Sequence, residues 1–314
     1  MYVIPMLQLG ITLRQLEYFV ATVELGTFSA AAAHFHISQT AISLAISELE
    51  RALDVQVLLR RRAKGPSLTA AGAQLLVDAR QVLGHAGELQ SSARGIGQHI
   101  SGRLVVGSFP TITPYVMGRI IEGLPRRHPG LEIDFVEDSV EGLQQRLADG
   151  ACEAALMYDI GIGPGVTTTP LYSCCPYAVL PKGHSLATRD SIRLAEIIEE
   201  PMIMIDMPPS AEFFIGLLRD AGYSPDIRHR SNSVETVRSL VGRGLGWSIL
   251  IHRPVTDRSY DGTQVVGVHL EDIGGPVDVL LVRSADARPT RRVEAFTQFC
   301  RDSCSHAANP FWSG

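Results

Sequence analysis

The chain has 314 residues, 45% hydrophobic and 19% charged, with a net charge of −5. That length accommodates two or three domains and a substantial core, and the balance is globular rather than disordered or fibrous. No apolar run is long and uncharged enough to span a bilayer, and an acidic total excludes a uniformly basic nucleic-acid-coating surface.

The first eleven residues, MYVIPMLQLGI, are apolar but lack a basic n-region and a small-residue cleavage site, which argues against a secretory signal. Five cysteines (Cys152, Cys174, Cys175, Cys300 and Cys304), an odd number with no pairing pattern, fit reduced thiols in a cytoplasmic protein. No Cys/His spacing suggests a zinc site; His34 and His36 read as a surface pair.

Residues 12–25 (TLRQLEYFVATVEL) predict a helix capped by Thr12, with Leu13, Leu16, Phe19, Val20 and Val23 on its apolar face and Gly26 at C′. Residues 27–53 then read as two short helices and a tight turn. The first covers 29–35, the turn is His36-Ile37-Ser38, and the second covers 39–53 with Ser38 as N-cap. Ile42, Ile46, Leu49 and Leu53 recur at spacings of three and four, giving one apolar face. Gln39, Thr40, Ser43, Leu44 and Ser47 fall mostly on the other faces. This is the helix-turn-helix plan, in which the start of the second helix meets base edges in the major groove.

Residues 54–68 (DVQVLLRRRAKGPSL) alternate, turn at Gly65-Pro66 and return, which predicts a small β-ribbon or wing. Residues 12–68 carry a net charge of +1 and the rest of the chain −6, and four of the six cations here lie within residues 60–64. A basic wing tip would lie near phosphates, which supply affinity without sequence information.

A long helix is expected from residue 70 to about 100, with Leu75, Leu76, Ala79, Val82, Leu83, Ala86 and Leu89 on one stripe. A lone helix cannot bury such a stripe, so we read it as a dimerisation helix pairing with a second chain. Gly95, Gly97 and Gly102 mark a hinge-like linker.

From residue 103 strands and helices alternate. RLVVGS, LEIDFVE, AALMYD, PYAVLP, MIMID, DIRHRS and WSILI read as strands, and residues 110–124, 140–148, 211–221 and 234–242 as helices. Repeated βα units imply a mostly parallel sheet. Two such sets suggest two α/β lobes, with crossings near 166–172 and 265–270. A ligand would sit where strand carboxyl ends and helix N-termini of the lobes face each other.

The stretch LRQLEYFVATVELGTFSAAAAHFHISQTAISLAISELERALDVQVLLRR, followed by LTAAG, resembles the LysR-type transcriptional regulators. The resemblance continues more loosely through RLVVGS, the segment PRRHPGLE, VLPKGHSLA and GLGWSIL, and so covers nearly the whole chain. It implies a winged helix-turn-helix (12–69), a linker helix (70–100) and a two-lobed effector-binding domain (103–304) like a type II periplasmic binding protein. The lobes would comprise about 103–170 with 276–304, and about 171–275. It further implies cytoplasmic gene regulation by a small inducer, as a homodimer or homotetramer on an interrupted palindrome of double-stranded DNA.

The family's recognition helix often carries Arg-Gln where Leu44-Ala45 stand here. Leu44 cannot donate to guanine; it can touch a thymine methyl or pack. Base contacts are therefore expected from Gln39, Thr40 and Ser43, and backbone contacts from Arg60, Arg61, Arg62 and Lys64. Without a cationic base contact, weight would shift towards DNA shape. Carried over by position, the effector pocket would use Ser108, Phe109, Pro110 and Thr111, then Asp206 and Ser210, then Asn232 and Ser233, then Trp247 with its neighbours Gly246 and Ser248. Three of these segments lead into helix N-termini, which suit a carboxylate. Ser108, Ser210 and Ser233 read equally as helix caps, and Phe109 and Trp247 equally as core. Asp206 argues against a plain anion unless it points away or meets a ligand amine. The effector expected is a small carboxylate metabolite.

The rival readings are weaker. No GxSxG, P-loop or HExxH motif is present, so no catalysis is expected. A fused pyridoxal-phosphate domain needs a Schiff-base lysine, and beyond the wing the only lysine is Lys182 in a turn-like segment. No cofactor, metal or membrane partner is expected. A free solute-binding protein would not carry the helix-turn-helix. A thiol redox sensor, as in peroxide-sensing members of the family, would have to use Cys174 or Cys175, and adjacent cysteines form strained disulfides.

Overall fold

The computed structural model describes residues 10–61, 65–93 and 100–303. Arg62, Lys64, the expected end of the linker helix, Cys304 and the tail lie outside the described residues, as do the side chains of Arg60 and Arg61. By its internal contacts the chain forms two units divided near residue 100.

In the first unit, α1 (Leu13–Glu24) starts at Thr12. The Thr12 hydroxyl accepts the Gln15 amide at 3.2 Å, and Gln15 Oε1 accepts the Thr12 amide at 2.9 Å. This reciprocal cap satisfies two otherwise orphan donors. Gly26 follows with φ 75°, the left-handed residue that ends the helix. Thr27 caps α2 (Phe28–His34) by accepting the Ala30 amide at 3.0 Å, so this helix begins and ends one residue before the alanine run suggests. His36 turns the chain with φ 55°. Ser38 then caps α3 (Gln39–Leu53), accepting the Ala41 amide at 3.1 Å.

Ile42, Ile46 and Leu49 of α3 are fully buried against Phe19, Ala31 and Leu58. Burial on this scale stabilises by about 2 kcal/mol per side chain, so it fixes which face of α3 turns outward. β1 (Leu58–Arg61) and β2 (Gly65–Leu68) form the expected antiparallel wing, with Leu58 opposite Leu68. Glu50 of α3 accepts the Val57 and Leu58 amides at 2.9 and 3.2 Å and ties helix to wing. α4 (Ala70–Ala93) begins hard against that segment: a Cβ on Gly72 would stand 2.0 Å from the Val57 carbonyl oxygen. Its stripe is buried at Leu76 and Ala79 but runs on past the unit's core, and Leu89 is 72% exposed.

The second unit opens with β3 (Ser101–Ser108), α5 (Thr113–Arg127), β4 (Gly130–Glu137), α6 (Val140–Ala148), β5 (Ala154–Tyr158) and β6 (Val166–Cys174). A second set follows: β7 (Tyr177–Pro181), β8 (Ser191–Ile192), β9 (Met202–Ile205), α7 (Ser210–Asp220), β10 (Ile227–Ser231), α8 (Val234–Gly242), β11 (Ser248–Leu250) and β12 (Val265–Leu270). The chain then returns through β13 (Val277–Ser284) and α9 (Arg291–Ser303). The first sheet has the order β4-β3-β5-β13-β6 and the second β11-β7-β12-β8. The parallel pair β10-β9 joins the second lobe through a bridge from Met202 to Trp247.

Two expectations need correction. The sheets are mixed rather than mostly parallel. β3 runs parallel to β4 and β5, but β13 is antiparallel to β5 and β6, and β7 to β11 and β12. Antiparallel neighbours need no helical crossover, and they occur where the chain changes lobe. The segments 166–172 and 265–270, expected as crossings, are strands of the two sheets. The passages follow them, so the first lobe continues through Cys174 rather than ending near residue 170.

Candidate functional site

Each unit presents one candidate site. On the first, burial of Ile42, Ile46 and Leu49 leaves Gln39, Thr40, Ser43, Leu44 and Ser47 lining a shallow, open depression on α3. Ser29 of α2 bonds Gln39 Oε1 at 3.0 Å and steadies that side chain at the helix start. The three expected base-contacting residues, Gln39, Thr40 and Ser43, therefore share one face. Arg60 and Arg61 belong to the wing strand β1. A helix 10–12 Å wide with polar groups at its start matches a major groove about 12 Å wide.

On the second unit a cavity lies between the lobes, lined by Thr111, Tyr115, Tyr158, Ser210 and His252 with an apolar floor that includes Ile205, Phe214 and Leu250. Its volume of about 20 Å³ is room for one water. Of the residues expected in the pocket, Thr111 and Ser210 line it. The others do not. Ser108 is buried beneath, accepting the Thr113 hydroxyl at 2.8 Å. Phe109 is core, edge-on to Tyr158 at 5.8 Å between ring centres. Pro110 stands outside the lining. Asp206 is exposed and paired with Arg230 at 3.4 Å. Asn232 is exposed, and Ser233 caps α8 by accepting the Thr236 amide at 3.3 Å. Trp247 is fully buried, its Nε1 donating to the Glu200 carbonyl at 3.1 Å. Gly246 puts it there: with φ 152° and the Pro201 carbonyl 2.2 Å from where a Cβ would stand, the backbone passes too close for any side chain.

The residue missed in the sequence is His252, just past β11. Its Nδ1 is hydrogen-bonded to the Tyr158 hydroxyl and its Nε2 to the Tyr172 hydroxyl at 2.9 Å. Its carbonyl accepts the hydroxyls of Tyr177 and Tyr115 at 3.1 and 3.3 Å, and its ring stacks on Tyr115 at 4.7 Å. Tyr158 and Tyr172 come from the first lobe and His252 from the second, so this cluster holds the lobe junction. Burial drives the imidazole down to about 3, so it is neutral at physiological pH. Burial likewise raises Tyr115, Tyr158 and Tyr177, so all three remain hydroxyls. Tyr158 ends β5 and His252 lies two residues past β11, near the strand carboxyl ends at which ligands meet α/β sheets; that rule was the available signal.

Two further features bear on ligand chemistry. α7 begins at Pro209 with no side-chain cap, and the Ala211 and Glu212 amides in its first turn donate to no acceptor among the described residues. Cys174 lies 3.8 Å from His252 Nε2 but is buried, which pushes its thiol up to about 12. Among the described residues no group of three His, Cys, Asp or Glu is placed to hold a metal ion, and no helix is long and apolar enough to cross a membrane.

A winged helix-turn-helix unit, followed by two α/β lobes around a cleft, defines a DNA-binding protein with a ligand-binding domain. Residues 13–73 match the bacterial regulatory helix-turn-helix proteins of the lysR family, and residues 97–305 match the LysR substrate binding domain. The chain belongs to the LysR family of transcriptional regulators. Among similar proteins is a "Probable hydrogen peroxide-inducible genes activator" of Mycobacterium avium, 30% identical over 241 residues, 76% of this chain and 77% of that one. The crystal structure of HinK, a LysR family transcriptional regulator from Pseudomonas aeruginosa, is 33% identical, with a TM-score of 0.63, covering 94% of this chain and 99% of that chain. A hydrogen peroxide-bound OxyR mutant of Corynebacterium glutamicum is 27% identical, with a TM-score of 0.59, covering 95% and 94%.

Proposed function

We propose that this regulator is cytoplasmic, binds an interrupted palindromic operator as a homodimer or homotetramer, and answers to a small carboxylate metabolite in the interlobe cleft, without catalysis of its own. Gln39, Thr40 and Ser43 read bases. Arg60, Arg61, Arg62 and Lys64 hold phosphates. The exposed end of the α4 stripe, at Val82 and Leu89, supports pairing with the same helix of a second chain.

The observation that carries the effector reading is the uncapped start of α7 beside Ser210. Free amides and the positive end of a helix dipole favour an anion, and the hydroxyls of Thr111, Ser210 and Tyr158 can orient it. Asp206, the residue that spoke against an anion, is outside the cavity and occupied by Arg230. The cavity as it stands is narrow, about 20 Å³, so in this reading binding separates the lobes and selects a more open state. Among the described residues no cysteine lines the cavity, and the raised Cys174 thiol is a poor nucleophile. A peroxide response like that for which the relatives are named is therefore not proposed.

The test is a thermal-shift and calorimetric screen of small carboxylates, matched amines and matched neutral analogues on the full-length protein. Carboxylates should raise the melting temperature, and Ser210→Ala should weaken their binding about tenfold. Binding confined to amines or neutral analogues would overturn the effector class.

A further inference from the structure

Leu44 is a large apolar side chain on the one face of α3 that its own unit leaves uncovered. It is 57% exposed, while Ile42, Ile46 and Leu49 of the same helix are fully buried. It stands one helical turn beyond Thr40 and lines the same depression as Gln39, Thr40, Ser43 and Ser47. Packing therefore does not account for it. The occupant of this face must offer hydrogen-bonding groups to the amide and hydroxyls, and an apolar group to the leucine between them.

The major groove has that composition. Its base edges carry nitrogen and oxygen donors and acceptors, and one apolar substituent, the 5-methyl group of thymine. The first two turns of α3 contain no lysine or arginine, so nothing there selects guanine by charge. We propose that Leu44, together with the Thr40 methyl, reads thymine methyl groups in each half-site of the operator. The proposal rests on the reading of α3 as the base-contacting helix.

The experiment begins with selection of binding sites from random duplex DNA by the full-length protein. The enriched half-site should carry a fixed thymine. Replacing that thymine by deoxyuridine in both half-sites removes only the methyl groups and keeps every hydrogen-bonding atom. Wild-type affinity should fall about fourfold per methyl, roughly fifteenfold for the pair. Leu44→Ala should start weaker by a similar factor and lose clearly less than the wild type on the deoxyuridine site, where only the Thr40 methyl contact remains to be lost. Leu44→Arg should move the preference at that base pair from thymine to guanine. The exposure of the position keeps both variants folded.

Unchanged wild-type affinity on deoxyuridine, or equal losses for wild type and Leu44→Ala, would overturn the proposal. So would a Leu44→Ala variant that changes oligomeric state and not DNA preference, because the face would then bind protein. Gln39→Ala separates the two levels of the argument. If it relaxes the selected motif while deoxyuridine is silent, Leu44 alone is misread. If neither variant alters the motif, α3 is not the reading helix.

Discussion

The α3 face and the interlobe cleft both present side-chain hydroxyls, with an amide beside them on α3 and an imidazole in the cleft, in opposite settings. On α3 they lie at the surface, Gln39 and Thr40 exposed and Ser43 and Ser47 half-buried, with described bonds to their own helix and to Ser29 of α2, and surface groups of this kind add little to stability. In the cleft, Tyr158, Tyr172 and His252 are buried and satisfy one another. Removing one partner there strands the others in a low dielectric. The first site is thus free to change its sequence preference without cost to the fold, while the second couples ligand chemistry to the packing of two lobes.

The largest expected effect tests the cleft. His252→Leu leaves two buried tyrosine hydroxyls without their ring partner. It should destabilise by about 3 kcal/mol, roughly 10 °C of melting temperature, whereas Ser43→Ala on α3 should stay within about 0.5 kcal/mol. Equal melting temperatures for the two variants would remove the contrast.

The same histidine should make stability depend on pH. Its folded value of about 3 lies below the unfolded value of 6.5, so the unfolded chain takes up the proton first. Its contribution is complete above pH 6.5 and declines as pH falls from there towards 3. At pH 5 the wild type should have lost about 2 kcal/mol that the His252→Leu variant does not lose. Denaturant titrations of both proteins at pH 7.5 and pH 5 measure this, and parallel losses would show that other groups govern the acid response.

Smaller effects are expected on the DNA side. Gln39→Ala should reduce discrimination between operator and random DNA roughly tenfold, with no change in melting temperature. Arg61→Ala should weaken operator and random DNA alike and lower the salt slope by about 1 for each phosphate left unneutralised. Competition binding at two salt concentrations distinguishes them. A change in sequence preference alone for Arg61→Ala would reassign the wing from phosphates to bases.

The sequence by itself determined the first unit almost completely: its caps at Thr12 and Ser38, the bounds of α3, the wing, and the shared face of Gln39, Thr40 and Ser43. Those features are set by residues close together in the chain, through capping and helical periodicity. It also determined most of the alternation of the second unit, down to the bounds of α6 and α8, but not β13 and α9, and it took β6 and β12 for crossings. Only the tertiary structure decided that Trp247 and Phe109 are core, that Asp206 turns to Arg230, and that Leu44 is left in water. Only the structure, too, brought His252 to Tyr158, 94 residues away in sequence. Buried hydrogen bonds between distant strands follow from sheet order and from where the chain changes lobe, and neither leaves a local periodicity for the sequence to display.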